Sequence, residues 1–126
     1  MTATILVADD SATMRMIVQT TLAEAGWRVL TAGDGRQALA LAKGNHIDML
    51  VSDWHMPVMG GQALIQGLRG EPGYRHLPVL VLTTDDDGKS KNAARNLGVC
   101  GWLNKPLDPG MLVELASELL GEQPAA

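Results

Sequence analysis

A chain of 126 residues, 46% hydrophobic and 19% charged, has the size and composition of one soluble globular domain and leaves no room for a second module. A net charge of −4 gives no basic stripe for a nucleic-acid backbone, the apolar runs are too short to cross a membrane, and no signal-type start is present, so a cytoplasmic chain without nucleic-acid or membrane partners is expected. The single cysteine, Cys100, has no partner for a disulfide or a zinc site and reads as a core thiol.

Residues 4–8 are an apolar run without alternation, the mark of a strand covered on both faces, and the run ends at Asp9 and Asp10. Ser11 then caps a helix whose apolar positions Met14, Ile17, Val18, Leu22 and Ala25 follow the i, i+3, i+4 spacing until Gly26 stops it. A second strand spans 27–31. Asp34 with Gln37 three residues on resembles a capping box and opens a helix to Lys43 that ends at Gly44.

Residues 47–51 are again apolar, stop at Asp53, and are followed by Pro57. A buried strand therefore delivers Asp53 to the rim of a sheet, a rigid mount that loops can still reach. A turn over 57–61 leads to a short helix, 62–69, with Leu64, Ile65 and Leu68 inward, and to a loop over 71–77. Residues 78–82 form the most apolar strand and end at Thr83 and Thr84. The polar helix 88–97 has only Ala93, Ala94 and Leu97 to bury, so it is the most weakly held. The last strand, 99–103, exits through Asn104, Lys105 and Pro106, and Asp108 with Pro109 opens a helix ending near Leu120. The methionines, Met14 among them, read as core filler, His46 and His76 as loop residues, and Asp85 to Asp87 as a solvated loop.

Alternation of strands and helices, with four strands as continuous apolar runs, implies an α/β doubly wound parallel sheet of five strands and five helices. Its working site lies at the carboxyl ends of the strands, and those ends carry Asp9, Asp10, Asp53, Thr83 and Lys105. Clustered carboxylates repel one another and raise their own pKa values, so a cation must sit among them. An all-oxygen set suits a hard ion such as Mg²⁺ that keeps waters and a place for phosphate oxygens. With the Lys105 ammonium and the Thr83 hydroxyl, the set matches what phosphoryl transfer requires.

Asp9-Asp10-Ser11, the Val51-Ser52-Asp53 strand end with Met56-Pro57 and Gly60-Gly61, Leu82-Thr83-Thr84 and Asn104-Lys105-Pro106 together resemble the receiver domain of two-component response regulators. The similarity spans nearly the whole chain and is strongest to single-domain chemotaxis regulators of the CheY type. It implies a flavodoxin-like sheet of strand order 2-1-3-4-5, a receiver domain over residues 1–121 and a loose tail at 122–126. It also implies that Asp53 accepts a phosphoryl group from a sensor histidine kinase, while Asp9, Asp10, Asp53 and the backbone carbonyl of His55 hold Mg²⁺. Thr83 and Lys105 would bind the phosphoryl oxygens, Lys105-Pro106 would be cis, and Thr83 and Trp102 would form the switch, with tryptophan where the family more often has tyrosine or phenylalanine. His55 and Asp85 would stand where the family tunes phosphate lifetime.

A protein of this kind is a phosphoacceptor, not a conventional enzyme. It acts as a monomer through a phosphorylation-dependent protein target such as the flagellar motor switch, or meets a phosphatase. The alternative is a phosphate sink or relay intermediate with no target. A Mg²⁺-dependent phosphatase would normally carry a second acid two residues after the nucleophile, where His55 stands. A flavin or nucleotide carrier would need a hydroxyl or glycine-rich loop after the first strand, where two aspartates would repel phosphate.

Overall fold

The computed structural model describes residues 2–84 and 87–121. Five parallel strands, β1 Thr4–Ala8, β2 Arg28–Ala32, β3 Met49–Ser52, β4 Val79–Thr83 and β5 Gly101–Asn104, form one sheet of order β2-β1-β3-β4-β5. Four helices connect them, α1 Ala12–Glu24, α2 Gly35–Gly44, α3 Gly61–Arg69 and α4 Gly88–Asn96, and a fifth, α5 Pro109–Leu120, follows β5. The doubly wound architecture expected from the alternation of elements is therefore the one observed.

The two faces of the sheet explain why the strand runs show no alternation. Ile5, Val7, Met49, Val51, Leu80 and Leu82 pack with Val18 and Leu22 of α1 and with Leu112 and Ala116 of α5. Leu6, Ala8, Leu50, Val79 and Val81 pack on the other face with Ala38, Leu64, Ile65, Leu68 and Ala94, the side of α2, α3 and α4. The period of two is present, but both of its phases are apolar because both faces are covered.

Most observed strands start a residue or two later than the apolar runs. Burial extends beyond the ladder: Ile47 is buried ahead of β3, where its N–H donates to the Tyr74 hydroxyl at 3.3 Å. Tyr74, in a short 3₁₀ turn Pro72–Tyr74 inside the expected loop, also places its hydroxyl 2.6 Å from the carbonyls of Ala42 and Asn45. Caps follow the sequence at Ser11, Asp34 and Asp108, whose side chains accept from Met14, Gln37 and Met111 N–H. Gln37 reaches back to the N–H of Gly33 instead of that of Asp34, so the capping box is displaced by one residue.

Three expectations about side chains are corrected. Cys100 is exposed and not a core thiol: it precedes β5, where its N–H donates to Val79 O at 2.8 Å, and it borders an open cleft of about 220 Å³ that it shares with Lys91, Ala94 and Arg95 of α4. Ile17 is 41% exposed and Met16 66%, since α1 buries only the narrow stripe of Val18 and Leu22. The methionines read as core filler divide: Met49 is fully buried and Met14, Met56 and Met59 are partly buried against the core, whereas Met16 and, at 48%, Met111 are exposed. Of α4, only Ala94 is buried, as its polar sequence implies. The 122–126 tail, with Asp85 and Asp86, lies outside the described residues. No described helix is long and apolar enough to cross a membrane.

Candidate functional site

The strand ladders continue one residue past their ends, and that is where the site residues sit. Asp9 N–H donates to Ala32 O at 3.1 Å, Asp53 N–H to Ala8 O at 2.9 Å and Lys105 N–H to Thr83 O at 2.9 Å. Each side chain is thus mounted on paired backbone at the carboxyl end of the sheet, beside the β1–β3 switch of strand order.

Asp9 and Asp53 are buried, at 2% and 8% exposure, while Asp10 is on the open rim. Each offers a carboxylate oxygen within 4.8 Å of the others. Lys105 Nζ donates to Asp9 Oδ2 at 2.9 Å and to Asp53 Oδ2 at 3.1 Å. Asp9 Oδ1 accepts from Ser11 N–H at 2.9 Å, and Arg15 Nη1 donates to the Asp9 carbonyl at 2.8 Å. His55 is exposed; its N–H, 3.4 Å from Asp53 Oδ1, folds the backbone around the carboxylate. The Lys105–Pro106 peptide is cis.

Burial pushes the Asp9 carboxyl above its ordinary pKa, against the lowering effect of its hydrogen bonds from Ser11 and Lys105, and the Asp53 charge adds to the rise. For Lys105 burial acts downward, but the hydrogen bonds to Asp9 and Asp53 outweigh it and hold the ammonium above the ordinary lysine value. Both shifts favour added positive charge. Three carboxylates face one ammonium, so the pocket still attracts a cation, and its oxygen-only donor set fits a hard divalent ion.

Thr83 is wholly buried at the end of β4, one residue beyond the level of Asp53 in the β3–β4 register. Trp102 on β5 packs against Trp54 with ring centroids 5.6 Å apart and planes at 57°. Since Trp54 directly follows Asp53, this pair joins the site to the edge strand. The expected residues are therefore brought together as one cluster of Asp9, Asp10, Asp53 and Lys105, with Thr83 and Trp102 on the adjoining strands. Sequence reasoning missed Arg15, the tryptophan pair and the structural reason for Gly61, where a Cβ would collide with the Asp53 carbonyl. Of these only Gly61 had a signal, its place in the Gly60-Gly61 motif.

The loop after β3 stores strain. Met59 N–H donates to Pro57 O at 2.7 Å, closing a γ-turn around Val58, which has φ 67° and is 77% exposed. A β-branched residue is costly in that region, and nothing about its exposure offsets the cost. Val58→Gly is expected to stabilise the fold by about 1 kcal/mol, the αL penalty less the entropy of glycine. A raised urea midpoint with unchanged slope would show it, whereas a lowered midpoint would mean the turn is not strained.

A surface cleft of about 560 Å³ lies at the opposite end of the strands, lined by Thr4, Arg28, His46 and Asp48 among others. Size does not mark the site here, because a hydrated ion and one phosphoryl group need charge more than volume.

A family model described as the response regulator receiver domain matches residues 5–117. The chain is 36% identical over 119 residues to a chemotaxis protein CheY homolog of Campylobacter jejuni, covering 93% of this chain and 92% of that protein. Among solved structures it is similar to Vibrio cholerae chemotaxis protein CheY4, with TM-score 0.90, 38% identity, and coverage of 95% and 100% of the two chains. A response regulator protein from Burkholderia multivorans is 46% identical with TM-score 0.79, over 100% of this chain and 99% of that one.

Proposed function

The chain belongs to the response regulator receiver domain family, and from that premise we propose that it is a CheY-type response regulator of the cytoplasm that takes a phosphoryl group from a sensor histidine kinase onto Asp53. The observation that carries this reading is Lys105 Nζ held between Asp9 and Asp53, with Asp10 completing the carboxylate cluster.

Asp9, Asp10, Asp53 and the His55 carbonyl would hold Mg²⁺. When bound, Mg²⁺ supplies positive charge for the phosphoryl oxygens and shields the carboxylates from an incoming dianion. An Asp53 carboxylate oxygen attacks phosphorus, the phosphorus–nitrogen bond of phosphohistidine breaks, and an acyl phosphate forms. Lys105 exchanges its bond to Asp53 for one to a phosphoryl oxygen, and the Thr83 hydroxyl donates to another. The fixed backbone ladders hold these groups in place, so little reorganisation is needed.

Output follows from what Thr83 can and cannot supply. Moving a switch from 1:99 to 99:1 takes about 5.5 kcal/mol, whereas one charge-assisted hydrogen bond contributes about 1.5–3 kcal/mol. Either Lys105 and the packing of Trp102 on Trp54 contribute as well, or the switch is partial. The responding face is α4, β5 and α5, where α4 is held most weakly and a cleft of about 310 Å³ lined by Lys91, Trp102 and Met111 gives a protein target, such as a flagellar motor switch, a place to dock.

Adding Mg²⁺ in the millimolar range is expected to change tryptophan emission, because Trp54 follows Asp53 directly. Asp9→Ala or Asp10→Ala should raise the midpoint by more than roughly tenfold, the loss already typical of groups outside the ligand shell. Because the Asp9 pKa is raised, protons compete with the ion from a higher pH than at an ordinary carboxylate, so the midpoint should climb as pH falls. The same midpoint in all three proteins would remove the acid pocket from the account.

A further inference from the structure

We infer that the first turn of α2 positions the loop of the phosphoacceptor, with Gly35 as the positioning residue. The inference rests on the reading of Asp53 as the phosphoacceptor. Gly35 is the first helical residue after the Asp34 cap, is buried, and is not among the positive-φ glycines, so its own backbone does not ask for glycine and alanine would suit the helix better. The reason lies outside the helix. A Cβ at Gly35 would stand 2.5 Å from the Met59 carbonyl oxygen and 2.9 Å from Met59 Cγ.

First-turn N–H groups have no partner within their helix. The N–H of Gly35 donates to Met59 O at 2.9 Å, so the loop is seated on the positive end of α2. From Met59 the γ-turn at Val58 runs back to Pro57, and Gly61 N–H donates to Trp54 O at 2.9 Å. Gly61 in turn lies so close to the Asp53 carbonyl that a side chain there would collide with it. On the line from α2 to the Asp53 peptide the nearest atom at both close approaches is thus a backbone carbonyl oxygen, which cannot swing aside as the end of a side chain can. The other glycines of the segment differ: Gly44, at the far end of α2, meets nothing within 4 Å, and Gly33 meets only the ends of Arg15 and Gln37.

The test compares wild type, Gly35→Ala and Gly44→Ala by thermal midpoint, by Mg²⁺ midpoint from tryptophan emission, and by the rate of Asp53 labelling with acetyl phosphate at saturating Mg²⁺. A displacement approaching 1 Å costs up to about a hundredfold in a positioned reaction, so Gly35→Ala is expected to label at least roughly tenfold slower even when saturated, while Gly44→Ala matches wild type. A folded Gly35→Ala that labels at the wild-type rate overturns the inference, because a merely structural role would move the thermal midpoint alone. If wild type takes no label on Asp53, it is the phosphoacceptor reading that fails. In that case, or if Gly35→Ala does not fold, amide exchange of Gly35 in wild type decides. Several-fold greater protection with Mg²⁺ supports the brace, and unchanged protection overturns it.

Discussion

Acetyl phosphate with Mg²⁺ is expected to place one phosphoryl group on Asp53, and Asp53→Asn is expected to take none. The substitution keeps the shape of the side chain and an oxygen that can accept from Lys105, so the fold should survive with the β1–β3 ladder intact. It removes the nucleophile, since a carboxamide oxygen does not displace a leaving group from phosphorus. Asp9 shares the same ammonium, yet it should not substitute, because it is the more buried of the two, at 2% exposure against 8%, and its other oxygen is held by Ser11 N–H at 2.9 Å, closer than the 3.4 Å from His55 N–H to Asp53 Oδ1. Omitting Mg²⁺ should also suppress labelling, because the carboxylate cluster would then repel the incoming dianion. Intact-mass measurement with peptide mapping reads the result. Label that persists in Asp53→Asn on a histidine or serine would sink the assignment.

Much of this site was legible because its chemistry is written at the ends of apolar runs. A stretch such as Met49–Ser52, buried on both faces, can only be an inner strand, and the polar residue that follows it must reach the rim. The same logic placed Asp9 after β1 and Lys105 after β5. What the sequence could not carry was contact between groups far apart in the chain. An all-apolar strand hides which phase faces which helices, so the division into an α1–α5 face and an α2–α3–α4 face had no signal. The pairing of Trp54 with Trp102, the reach of Arg15 to the Asp9 carbonyl and the anchoring of Tyr74 between Ala42 and Asn45 are of that kind. Cys100 failed for a related reason. Its flanking residues read as a strand, but Cys100 lies just ahead of β5 beside an open cleft along α4, and that placement is a property of the fold and not of the local sequence.

Lys105→Met should destabilise the metal-free protein. It keeps an unbranched stem, one atom shorter, and leaves Asp9 and Asp53 facing each other without their shared cation. Lys105 is 14% exposed and the two carboxylates 3% and 9%, so solvent screens this trio far less than a surface pair. Removing one partner of a buried pair costs roughly 3–5 kcal/mol, and the open side of the cleft, where water can enter, points to the low end, about 3 kcal/mol. The sign of the pH dependence follows from the direction of the Asp9 shift. A carboxyl whose folded pKa is raised adds stability below its unfolded value of 3.8 and loses that stability as pH rises through the folded value. Without Lys105 its lowering hydrogen bond and charge are gone, only the bond from Ser11 N–H remains to hold the carboxyl down, and the carboxyl is pushed higher still. The deficit of the variant is therefore greatest at neutral pH and shrinks as pH falls toward the carboxylate range, where Asp9 takes up a proton. Mg²⁺ offers a second way to neutralise the same charge, so it should raise the urea midpoint of Lys105→Met more than that of wild type, by an amount that grows with ion concentration. Urea titrations at neutral and acidic pH, each with and without Mg²⁺, separate these effects. A deficit that does not change with pH or with the ion would mean that the lysine acts by packing and that the carboxylate cluster is not the source of the strain.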